Sequence, residues 1–90
     1  MRGIAILGST GSIGLSTLDV VSRHPEAYRV VALSANTDVE GMLGQCRLHR
    51  PELVAMADPA AAKALSDKLK EEGIRCEVMS GEAGLEAVAA

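Results

Sequence analysis

The sequence predicts an α/β fold, a parallel β-sheet with flanking helices, and two observations carry that prediction. Short apolar runs alternate with longer stretches whose apolar residues recur at helical spacing, the pattern of βαβ units. Between the first run and the first such stretch stand three glycines at intervals of three, Gly8, Gly11 and Gly14.

In chain order, Ile4 to Leu7 reads as the first strand and Ser12 to just before Pro25 as the first helix, with Gly14, Leu18 and Val21 facing the sheet. Arg29 to Ala35 is the second strand. The second helix follows, with Val39, Met42, Leu43 and Cys46 as its inner stripe, a capping-box spacing between Thr37 and Glu40, and Pro51 as its stop. Arg47, His49 and Arg50 stand at its negative end, where basic side chains are favoured. Leu53 to Met56 is the third strand. Asp58 and Pro59 supply the cap and first-turn proline of a third helix whose inner face is Ala62, Leu65 and Leu69, ending at Gly73. Glu77 to Met79 is a short fourth strand, and a final helix opens after Ser80 with Leu85 and Val88 on its stripe.

Composition bounds the function. Hydrophobic residues make up 48% of the 90, enough for a core, and that core must be aliphatic because Tyr28 is the single aromatic residue. A net charge of −3 gives no electrostatic attraction to nucleic acid or to an acidic membrane surface, so neither is expected as a partner. Lys63, Lys68, Lys70, Glu71 and Glu72 read as the solvated face of one helix. The run at Met1 to Leu7 is too short for a signal peptide or a membrane span. Cys46 and Cys76 form neither a metal-ligand spacing nor a disulfide framework, and reduced thiols in a cytoplasmic protein are the expectation. Ninety residues fall short of a complete dinucleotide-binding domain, which needs two mononucleotide-binding halves. The expectation for residues 1–90 is therefore the N-terminal part of such a domain, an incomplete Rossmann-like fold.

The chemistry lies in the stretch Ile4 to Gly14. Gly8 permits the turn off the strand, Gly11 lets the main chain approach a pyrophosphate that a Cβ would repel, and Gly14 lets the helix pack closely. Backbone N–H groups at Gly11, Ser12 and Ile13, with the hydroxyls of Ser9, Thr10 and Ser12, are the expected phosphate donors at the helix N-terminus. These residues bind and do not catalyse. No Gly-Lys-Ser or Gly-Lys-Thr occurs, which excludes an ATP-binding P-loop. At the end of the second strand, where an acid would bind the ribose of NAD, Ser34, Ala35 and Asn36 are uncharged. That favours NADP, with Ser34, Asn36 and the next helix N-terminus receiving the 2′-phosphate. Asp38 opposes it by charge, unless its role is to start the helix.

The run Ile6 to Gly14, its continuation Ser16 to Val21, and Arg29 to Ala35 resemble the opening of the 1-deoxy-D-xylulose 5-phosphate reductoisomerase family. The resemblance implies NADPH as cofactor, held at its pyrophosphate by Thr10, Gly11, Ser12 and Ile13 and at its adenosine phosphate by Asn36, Thr37 and Asp38. The last three differ from the glycine, the lysine or serine, and the asparagine more usual there. It also implies Mg2+ or Mn2+ in the full-length enzyme, a sugar-phosphate substrate, a homodimer, and the conversion of 1-deoxy-D-xylulose 5-phosphate into 2-C-methyl-D-erythritol 4-phosphate for isoprenoid synthesis. No catalytic or metal-binding residue is expected within this chain, which alone should be inactive. Two other readings share the glycine loop: a different nicotinamide-dependent dehydrogenase or epimerase, and a nucleotide-sensing module without chemistry.

Overall fold

The computed structural model describes residues 2–89; Met1 and Ala90, which bound the expected domain part, lie outside the described residues. Four strands and four helices alternate: β1 (Arg2–Ile6), α1 (Ser12–Ser22), β2 (Tyr28–Ala35), α2 (Val39–His49), β3 (Leu53–Met56), α3 (Pro59–Glu71), β4 (Glu77–Ser80) and α4 (Gly81–Ala89). All strand pairs are parallel and the sheet order is β1-β2-β3-β4. Each strand is thus laid beside its predecessor. Right-handed crossovers that all advance in one direction deposit their helices on one face, and the packing shows it.

The larger core joins Leu18 and Val21 of α1, Met42, Leu43 and Cys46 of α2, and Ala62, Leu65 and Leu69 of α3 to Ile6, Val30, Leu33, Val54 and Met56 of the sheet. On the other face, Val88 and Leu85 of α4 cover Ala32, Leu53 and Ala55. Alternation along β3 divides its side chains between these two layers, as a period of two requires. Leu33, Met42, Val54, Met56 and Leu65 are fully buried, each worth roughly 1.5–3 kcal/mol in apolar transfer.

Element boundaries differ in instructive places. β1 begins at Arg2, where pairing with Tyr28 starts, and ends at Ile6. Leu7, expected in the strand, is 57% exposed and opens the turn toward Gly8, whose φ of +65° ends the extended backbone. The expected capping box of Thr37 and Glu40 does not form. Asp38 is the N-cap and accepts from the Gly41 N–H at 2.9 Å, because its carboxylate is one residue nearer the first turn. At its other end α2 stops at His49, and Arg50 takes the left-handed conformation with φ 49°, so termination precedes Pro51. Asp58 caps α3 as expected, accepting from the Ala61 N–H at 2.9 Å.

The charged face of α3 is partly a joint. Arg47 of α2 donates Nε–H to Glu72 at 2.7 Å and Lys68 approaches Glu40 within 3.6 Å, which ties α3 to α2. The guanidinium of Arg47 holds the Glu72 carboxyl below the usual carboxylate range.

Candidate functional site: a cleft at the strand carboxyl ends

In a parallel sheet every strand delivers its carboxyl end to the same edge, so the turns after β1 and β2 meet there. Gly8, Thr10 and Gly11 from the first turn and Ser34, Ala35, Asn36, Thr37 and Asp38 from the second line one cleft of about 310 Å³. Of the nine expected cofactor contacts, this lining brings together Gly8, Thr10, Gly11, Asn36, Thr37 and Asp38. Ser12 and Ile13 follow on the first turn of α1, exposed and adjoining. Gly14 is buried beneath.

The three glycines serve different ends. At Gly8 a positive φ demands glycine. A Cβ on Gly14 would collide with the Gly8 carbonyl oxygen and stand 2.6 Å from Ser9 Cα and 2.9 Å from Gly8 C, all backbone atoms that cannot rotate away. Gly14 therefore seats α1 against its own preceding loop. A Cβ on Gly11 would meet nothing nearer than the Gly8 carbonyl oxygen at 3.4 Å, and its φ of −82° suits any residue. The fold does not require glycine at 11.

The donors at this end are narrower than the sequence implied. The Gly11 N–H is taken by the Gly8 carbonyl at 3.0 Å within the tight turn, and so is not free for phosphate. Ser9 is fully buried and does not line the cleft: its N–H donates to the Ser34 carbonyl at 2.8 Å and its carbonyl accepts from Gln45. What remains is the start of α1. No side chain caps it, its first turn has no acid, and the first intrahelical bond runs from Leu15 N–H to the Gly11 carbonyl. Ser12 and Ile13 thus present amides at the positive end of a helix dipole.

At the other wall, Ser34, expected to receive phosphate, has a structural task. It is 2% exposed and its hydroxyl accepts the Gly8 N–H at 3.1 Å, so it holds the loop. The N-terminus of α2, also expected to receive phosphate, is occupied by the Asp38 carboxylate. A Cβ on Gly41 would press on the Asp38 carboxylate as it stands, so the close fit of this cap uses the glycine, although Asp58 caps α3 against Ala61 without one. Asn36 and Thr37 remain exposed at the corner. Gln45 and Gly41 escaped the sequence reading; the available signal was a polar residue three positions after Met42, on the stripe that α2 buries.

Cys46 lies in the core and Cys76, thirty positions away in sequence, packs against that core. Cys46 thiol ionisation is pushed up by Cys76 and by burial, while Cys76 is lowered by Cys46; both thiols are free. Among the described residues no group of three His, Cys, Asp or Glu side chains is placed to hold a metal, and no helix is long and apolar enough to cross a membrane.

A parallel sheet covered by helices, with a glycine turn leading into an uncapped helix, defines a Rossmann-type α/β module. The family model of 1-deoxy-D-xylulose 5-phosphate reductoisomerase matches residues 4–90, and the chain belongs to that family. The 1-deoxy-D-xylulose 5-phosphate reductoisomerase of Methylococcus capsulatus is 53% identical over 90 residues, covering 99% of this chain and 23% of the relative; that of Methylobacillus flagellatus is 51% identical, covering 100% and 22%. A crystal structure of DOX-P reductoisomerase in complex with NADPH, fosmidomycin and magnesium superposes with a TM-score of 0.94 at 35% identity, over 99% of this chain and 22% of that one. The Zymomonas mobilis reductoisomerase in complex with NADPH gives 0.89 at 34% identity, over 98% and 23%. The chain thus spans under a quarter of the length of these relatives.

Proposed function

We propose that this chain is the N-terminal, NADPH-binding part of a 1-deoxy-D-xylulose 5-phosphate reductoisomerase. The observation that carries the proposal is the open start of α1 beside a glycine that the fold itself does not need, in a cleft continuous with the end of β2. Such a start binds anions through backbone amides. Ser12 and Ile13 donate to the pyrophosphate, Gly11 makes room for it, and Thr10 offers a hydroxyl at the rim. Gly8 and Gly14 hold the turn. Asn36 and Thr37 receive the adenosine phosphate, and Asp38 stands beside it while capping α2.

NADPH supplies a hydride when bound; these residues bind and orient it and transfer no proton. The donor set fits that cofactor. It does not fit a divalent metal, and no role for Mg2+ or Mn2+ is assigned to these residues. In the whole enzyme the reading extends to reduction and isomerisation of 1-deoxy-D-xylulose 5-phosphate, a homodimeric assembly and a cytoplasmic location.

Titration with NADPH and separately with NADH, followed by backbone amide shifts because no tryptophan is present, tests the reading. Tighter binding of NADPH, with shifts centred on Thr10 to Ile13 and Asn36 to Asp38, is the expected result. Absence of shifts in both segments overturns it.

A further inference from the structure

We propose that Gln45 is a positioning residue of the cofactor site, which sets the glycine loop against α2 so that both walls of the cleft are aligned for one dinucleotide. The inference rests on the cofactor reading above. Gln45 is 9% exposed and shares the buried stripe of α2 with Met42, Leu43 and Cys46. A carboxamide in an apolar core is costly unless its polar atoms are engaged. Its Nε2 donates to the Ser9 carbonyl at 2.7 Å, a buried bond between residues 36 apart in sequence. Its Oε1 and the Ser9 hydroxyl have no hydrogen-bond partner among the described residues, so this bond is the polar anchor of the side chain.

Ser9 is held from the other side as well. Its N–H donates to the Ser34 carbonyl at 2.8 Å and the Gly8 N–H donates to the Ser34 hydroxyl at 3.1 Å. Gly8 and Ser9 are therefore clamped between the end of β2 and the inner face of α2. Gly14 packs directly on the backbone of these two residues, so their height fixes where α1 begins. Gln45 thus acts on the amides of Ser12 and Ile13 through Ser9 and does not itself line the cleft. It also belongs to the helix capped by Asp38, so one side chain relates the pyrophosphate end to the adenosine-phosphate end. A ligand that spans both ends reads that relation. A ligand confined to the corner does not.

The test compares NADPH with adenosine 2′-monophosphate, which lacks the pyrophosphate, on the parent chain and two variants. Gln45→Met keeps length and apolar packing and removes the donor. NADPH should bind about tenfold more weakly, the effect of one lost buried hydrogen bond, while adenosine 2′-monophosphate stays within about twofold of the parent. Equal losses for the two ligands mean that Gln45 only supports the fold, and unchanged NADPH affinity means that the clamp does not position the loop; either overturns the proposal. Gln45→Glu covers the case in which the methionine variant does not fold. Its protonated carboxyl can donate to the Ser9 carbonyl and its carboxylate cannot. NADPH affinity relative to the parent should therefore recover as pH falls, and a flat ratio overturns the proposal. A parent that binds no NADPH overturns the cofactor reading itself, and the role of Gln45 with it.

Discussion

The helices α1 and α2 both begin at the rim of the same cleft, and their first turns are finished in opposite ways. At α1 the N-cap is Gly11, no side chain reaches back, and the first turn carries no acid. At α2 the N-cap is Asp38, whose carboxylate takes the Gly41 N–H at 2.9 Å, with Glu40 in the same turn. The helix α3 belongs with α2, since Asp58 takes the Ala61 N–H in the same manner. Each helix N-terminus offers amides to an anion, and the sequence decides whether that anion is the chain's own. Among α1, α2 and α3, two ends are closed by internal carboxylates and one has no side-chain cap.

The comparison breaks most severely at Gly14. Gly14→Val should destabilise the fold by about 3 kcal/mol, the upper range for overpacking, because its Cβ meets only rigid backbone. Urea denaturation checks this, and a variant as stable as the parent would show that α1 does not need its close seat on the loop. Gly11→Val should behave differently, although it lies only three residues away. With only an ordinary contact at the Cβ and a permissive φ, it should lose no more than about 1 kcal/mol as a poorer cap, yet weaken NADPH more than about tenfold. Parallel denaturation and titration separate the two effects; a folded variant that binds like the parent removes the phosphate from this end.

Asp38→Asn sharpens the contrast at the other wall with the smallest effect. Asparagine keeps the cap and removes a charge that repels a phosphate by about 1 kcal/mol at close range in water. NADPH affinity should rise about fivefold while NADH, which lacks the 2′-phosphate, is little changed. Equal changes for the two cofactors would place the phosphate away from Asp38.

Much of this arrangement was legible along the chain because it is local. Asp58 followed by Pro59 announced the start of α3, and Leu53 to Met56 matched β3 to the residue. The glycine turn was legible for the same reason, since the positive φ of Gly8 depends on its immediate neighbours. The cap of α2 was missed by one residue because Thr37 and Asp38 both suit an N-cap, and only the path of the chain leaving β2 chooses between them. The burial of Ser9 and Ser34 was not legible, because a hydroxyl beside a glycine loop looks the same in sequence whether it faces solvent or the interior.

The sequence by itself determined the order of strands and helices, the place of the glycine turn between β1 and α1, and the absence of an acid from Ser34 to Asn36. Each depends on propensities and spacings within a few residues. Only the tertiary structure decided that Gly14 serves packing while Gly11 does not, that Ser34 secures Gly8, that Gln45 reaches Ser9, and that Cys76 packs against the core that holds Cys46. The physical reason is distance along the chain. The Ser34 and Gln45 bonds join residues 26 and 36 apart, and such partners are selected when the sheet brings two strand ends together, a step that no local periodicity encodes.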